Sequence, residues 1–240
     1  MPHAPSIAIH MAIGSVAVLL YWGALLAVKG SPWHRAWGKG FFIALMVVVA
    51  SVGPVLLLKP YEPALLIQFI YLTLCAGTVA MLGWTAIRWK GDVERFRGTH
   101  FKVMGAAIFL LGLVVLGAGI ATGRALTAVF SWVGLVYGGA MLCFAWMRAE
   151  PHPRWWLAWH LNAVAGLFNA VHGTVLAVIW RALVDPAAGD ELLLVTQLGT
   201  TAASLGIRLW FGSTRGIPWR FSRPPQAASS SSSLPARSSA

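Results

Sequence analysis

Seven apolar runs, each close to the length of a bilayer-spanning helix, constrain this chain more than any other feature. They cover roughly 7–28, 40–58, 63–88, 101–122, 126–147, 155–183 and 192–212, and a span needs about 20 apolar residues. Proline marks several boundaries: Pro54, Pro60 and Pro63 between the second and third runs, Pro151 and Pro153 before the sixth, and Pro186 after it. Only 10% of residues are charged and the mean hydropathy is +0.72, whereas soluble domains carry about a quarter charged residues. The expected fold is therefore an all-α integral membrane bundle of about seven transmembrane helices over 1–213, followed by a basic, Ser-rich tail over 214–240. That tail, with QAASSSSSLPARSSA, reads as a disordered linker. The run after His10 lacks a basic flank and exceeds a signal-peptide core, so it is expected to be the first span.

The formal net charge of +11 is distributed in a way that excludes nucleic acid as a partner. Basic residues gather in alternate loops: Lys29, Arg35 and Lys39; Arg88, Lys90, Arg95, Arg97 and Lys102; Arg148 and Arg154; then Arg208, Arg215, Arg220, Arg223 and Arg237. The intervening loops hold Lys59 with Glu62, Arg124, and Arg181 with Asp185, Asp190 and Glu191. The positive-inside rule then places the N-terminus outside and the C-terminus in the cytoplasm. Tryptophans flank the runs (Trp33, Trp37, Trp89, Trp155, Trp156, Trp180, Trp210), as interfacial anchors do. The motifs KGSPWHRAWGKGFF and KGDVERFRGTHFKV, whose Lys-Gly openings lie 61 residues apart, hint at repeated hairpins.

The chemistry available is narrow. All seven carboxylates fall in loops or at span ends, which argues against an ion-coupled transporter with a mid-membrane acidic relay. The last run has no lysine for a retinal Schiff base, and no hydrolase or phosphate-binding motif occurs. Cys75 and Cys143 lie inside apolar runs without ligand spacing and read as packing residues. Histidine remains. His3 and His152 are peripheral, and five others fall in two layers by depth: His10 with His172 in an outer layer, and His100 with His160 in an inner one, with His34 in the adjoining loop. Two imidazoles from facing helices at matched depth are what a b-type haem requires. The expected ligands are thus His10 paired with His172 and His100 paired with His160, with His34 a further candidate, holding one or two haems b, with Arg35, Lys39, Arg95 and Arg97 near the propionates and Asn169 close to His172. Glycines at 14, 98, 105, 166 and 173 would let a flat macrocycle approach the backbone. On an ideal helix, however, His160 and His172 point about 120° apart. The plain alternative for each histidine is a hydrogen bond to a neighbouring helix, and Asn162 and Asn169, seven apart on one face, suit the same role.

The stretch IHMAIGSVAVLLYWGALLAVKGSPWHRAWGKGFFIALM resembles the opening of a family of bacterial multi-span membrane proteins of unassigned function, which look like distant relatives of the cytochrome b561 type. The matching positions are His10, Gly14, Lys29, Gly30, His34, Arg35 and Gly38. The resemblance implies redox or haem chemistry. Two functions are therefore expected in competition: a membrane b-type cytochrome passing electrons to a quinone or a periplasmic partner, and a cofactor-free accessory or assembly subunit of a larger membrane complex. Apolar spans and abundant small residues suit the second.

Overall fold

The structure is a computed structural model that describes residues 4–57 and 60–222. Seven helical segments are long and apolar enough to cross a membrane, and the chain is an all-α, seven-span membrane bundle. The helices are α1 (Ala4–Leu26), α2 (Pro32–Leu57), α3 (Pro63–Arg88), a short α4 (Val93–Phe96), α5 (Thr99–Ala121), α6 (Ala125–Phe130), α7 (Gly139–Ala145), α8 (Trp155–Leu183) and α9 (Asp190–Thr214). The loops with the excess of Lys and Arg (27–31, 89–98, 146–154 and 215–222) share one end of the bundle, here called the basic end. His3, Lys59, Arg223, Arg237 and the Ser-rich stretch lie outside the described residues, so only 214–222 of the expected tail is described.

Two elements differ from the apolar runs, each for a local reason. The helix α2 begins at Pro32, eight residues before the run at 40. Ser31 caps it: the hydroxyl accepts the His34 N–H at 3.1 Å, and Pro32 occupies the first helical position, where a missing N–H costs nothing. His34 is therefore on the first turn of α2, not in a loop. The fifth span is not one α-helix. Between α6 and α7, Gly134–Gly138 form a π-helical turn wedged by Tyr71 of α3, whose hydroxyl donates to the Ser131 carbonyl (2.9 Å) and accepts from the Gly134 N–H (2.8 Å). A Cβ at Gly134 would collide with the Ile108 carbonyl and the Tyr71 ring, so only glycine lets α5, α3 and this turn meet.

The core runs along α3, α5, α7 and α8 and is mostly aromatic at the basic end, with Phe96, Phe101, Phe144, Trp155 and Trp159 in mutual ring contact. Beyond α9 the chain folds back over this cluster. Phe221 stacks on Trp159 at 4.6 Å, the His152 N–H bonds the Phe221 carbonyl at 2.7 Å, and Pro151 and Ser222 form a β-bridge. Arg208 of α9, only 3% exposed, ties the strap down. Its guanidinium donates to Asn162 Oδ1 and to the Pro218 carbonyl (2.9 Å) and lies over Trp219 at 4.1 Å. A charge in a membrane bundle is tolerated when it is partnered in this way.

Candidate functional site

The α1–α2 hairpin meets the rest of the bundle through a few specific bonds. Tyr21 Oη donates to the Val164 carbonyl at 3.0 Å, and Trp22 Nε1 donates to His172 Nε2 at 2.9 Å. Below these bonds, toward the basic end, the hairpin and the α3–α8–α9 wall separate around a cavity of about 1120 Å³. That is slightly above the usual range for cofactor and small-molecule sites, about 300–1,000 Å³. Its inner surface is apolar, with Leu25, Phe41, Phe42, Trp84, Val164 and Phe211. Its rim carries six cations, Lys29, Arg35, Lys39, Arg88, Lys90 and Arg215, and no carboxylate among the described residues that line it.

Two histidines line this cavity, one from each side. His34 Nδ1 lies 2.9 Å from the Ala24 carbonyl of α1, and His160 Nδ1 lies 2.9 Å from the Gly83 carbonyl of α3. A carbonyl oxygen only accepts, so in both rings Nδ1 carries the hydrogen and Nε2 keeps its lone pair. Among the described residues neither Nε2 has a hydrogen-bond partner. A ring anchored to a carbonyl through one nitrogen, with the other free, has the arrangement of a metal-ligating histidine. Of the expected partners, His100 lines a separate, smaller cavity, and His10 and His172 do not line this one.

The other histidines are committed elsewhere. His172 is 8% exposed and has both nitrogens occupied: Nδ1 donates to the Phe168 carbonyl one turn back (2.9 Å) and Nε2 accepts from Trp22. His10 Nδ1 lies 2.8 Å from Ser51 Oγ of α2, whose own hydroxyl donates to the Val48 carbonyl at 2.7 Å. His100 places Nε2 at 3.2 Å from Met81 Sδ, in a separate and smaller cavity. The 120° divergence along α8 needs no bend: His160 serves the cavity between α2 and α3, and His172 serves α1.

The expected anion-binding residues divide likewise. Arg35 and Lys39 line the large cavity. Arg95 instead stacks over Trp89 at 5.1 Å, while Arg97 pairs with Glu94 and donates to the Met147 carbonyl at 3.2 Å. Asn169 is spent on α9, its amide donating to Thr200 Oγ1 (2.8 Å), the Gln197 carbonyl (3.0 Å) and Gln197 Oε1 (3.1 Å). Of the small-residue positions, three face protein atoms, with Tyr137 over Gly166, Gln197 over Gly173 and Met141 over Gly105, Gly98 meets the Arg95 carbonyl, and Gly14 has open space beside it. Four cations of the cavity, Lys29, Arg88, Lys90 and Arg215, had no place in the depth argument. Lys29 sits on the last carbonyls of α1, bonding Ala24 (3.1 Å) and Leu25. Burial, and secondarily the Arg215 guanidinium, hold its ammonium below the ordinary lysine value. Arg88 and Lys90 follow from the end of α3. The sequence signal for His34 was present: Ser31-Pro32 is a cap followed by a first-turn proline, which extends α2 past its apolar run.

Comparison with known protein families, with characterised proteins and with solved structures finds no match to the chain.

Proposed function

We propose that the chain is a membrane b-type cytochrome whose large cavity would hold one haem, with His34 and His160 as the residues that would bind its iron. The observation carrying this reading is that an imidazole from α2 and one from α8 line the same cavity, each with Nδ1 tied to a carbonyl and Nε2 without a partner among the described residues. The donor set fits the group in three respects. Two neutral imidazoles suit haem iron, the apolar walls suit a macrocycle, and the six rim cations suit two propionates. Bound there, haem supplies reversible one-electron exchange at iron. The chain's own residues do the rest. The Gly83 and Ala24 carbonyls set the tautomer and tilt of the two imidazoles, Lys29 and Arg215 are among the cations that could pair with carboxylates, and the aromatic walls would limit water. In this reading the protein sits in a bacterial inner membrane with its basic end in the cytoplasm, and it exchanges electrons with a quinone in the bilayer or with another membrane subunit.

The test is spectroscopic. Protein purified from haem-replete cells should be red, with a Soret band and a sharp α-band on reduction. His34→Ala and His160→Ala should each lose the six-coordinate spectrum, and added imidazole should restore it to the His160→Ala protein. His10→Ala and His172→Ala should leave the spectrum intact. A folded, colourless preparation overturns the proposal and leaves the accessory-subunit reading in its place.

A further inference from the structure

At the basic end, on the far side of α3 from the large cavity, four residues with soft or borderline donors line one small cavity from three helices. Met81 comes from α3, His100 and Met104 from α5, and Met141 from α7. His100 and Met104 are four residues apart and share one face of their helix. Gly105 brings α7 close, since a side chain there would collide with Met141. Together these residues line a cavity of about 160 Å³. That is well below the 300–1,000 Å³ or so of organic ligand sites, yet ample for an ion or a few waters. Three of the chain's seven methionines line this one small space, so the thioethers are gathered rather than scattered through the core.

We propose that Met81, His100, Met104 and Met141 form a binding site for Cu(I), independent of the haem cavity. The most telling contact is His100 Nε2 at 3.2 Å from Met81 Sδ. His100 is exposed and has water available, yet its ring turns inward to a thioether, a weak acceptor. With the ring hydrogen moved to Nδ1, Nε2 and the neighbouring thioether would both offer lone pairs, the donors a soft cation takes together. The donor set also selects the ion. Thioether sulfur binds Cu(I) and is ignored by hard cations. Calcium and magnesium require oxygen ligands, and no carboxylate lines the cavity among the described residues. Arg95 lines it too, with its guanidinium drawn over the Trp89 ring at 5.1 Å. A neutral ligand set beside one fixed cation disfavours a dication such as Zn²⁺ more than a monovalent ion.

Tag-free protein in nanodiscs, titrated anaerobically with Cu(I) against a colorimetric Cu(I) chelator, should take up one equivalent per chain. X-ray absorption should show sulfur and nitrogen together in the first shell. Ag(I) should compete for the site and Zn²⁺ should not. Loss of even an outer partner of a metal ligand costs roughly 10–100-fold in affinity, so His100→Ala and Met81→Leu should each cost at least that. Met→Leu conserves volume and usually costs under about 1.5 kcal/mol, so the triple variant M81L/M104L/M141L keeps the fold, checked by its helical circular dichroism. Uptake no greater than that of empty nanodiscs overturns the site, as does stoichiometric binding that survives the triple variant, or a first shell of nitrogen and oxygen alone. The double variant H34A/H160A should bind Cu(I) normally, so failure of the haem reading and failure of this one are read separately.

Discussion

At His172 both ring nitrogens are spoken for, one by its own helix and one by Trp22 across the α1–α8 contact, and the ring also stacks on Phe168 at 4.1 Å. Such a histidine is a structural bolt. Polar contacts between membrane helices contribute roughly 0.6–2 kcal/mol each, so His172→Ala should lower stability by about that amount with the Soret band unchanged. Reversible unfolding in mixed micelles would measure it. Depth along α8 could not distinguish His172 from His160, because the distinction lies in which neighbour each ring meets, and that depends on helix rotation. Lys29 makes a second prediction at this scale. Burial, then Arg215, depress its ammonium, and propionates bound beside it would favour the protonated form. Haem binding therefore draws in a proton wherever free Lys29 has begun to lose its own, and affinity falls as pH rises through that depressed value. Lys29→Met should weaken binding at neutral pH and flatten the alkaline limb; an unchanged alkaline slope in this variant would remove Lys29 from the propionate site.

Among the elements, α2 shows why one part of the site was legible and another was not. Hydropathy locates α2 by its apolar residues, and the polar turn Pro32–Lys39 drops below threshold although it is helical. Capping chemistry, not hydropathy, carries the true start, and the same chemistry recurs at Asp92, whose side chain accepts the Arg95 N–H at 2.9 Å to begin α4. The two Lys-Gly motifs thus share a cap and part ways after it, one leading into a span and the other into a single turn. Replacing Ser31 by Ala should cost about 0.5–2 kcal/mol, and it should also loosen His34, read as a weakened or mixed-spin haem spectrum. The fifth span had the opposite problem. Its hydropathy is continuous over 125–145, and nothing in that run marks the π turn, which depends on Tyr71 arriving from α3. Gly134→Ala should therefore destabilise by about 1–3 kcal/mol through overpacking. Gly139→Ala meets only ordinary contact at 3.7 Å and should fall within roughly 0.5 kcal/mol of the parent.

For the molecule as a whole, the seven-span plan follows from where the apolar runs lie, whereas the cavity arises from how two subassemblies meet. The α1–α2 hairpin is anchored to α8 by Tyr21 and Trp22, and closer to the basic end it stands off from the wall that carries His160. Among the described residues six cations face that gap without a lining carboxylate, so mutual repulsion opposes closure, and an anionic ligand would remove it. A ligand held by His34 on one side and His160 on the other would bridge the two subassemblies and stabilise them by mass action, about 2.7 kcal/mol at a free ligand concentration a hundred times Kd. Hydrogen exchange in the 27–40 segment depends on the hairpin opening away from that wall. Haem-loaded protein should thus exchange there about a hundredfold more slowly than haem-free protein at that ratio, while α5 and the π turn, remote from the gap, exchange alike in both. Equal protection of 27–40 in the two forms would mean that the ligands do not span the gap, even in a protein that proved to be red.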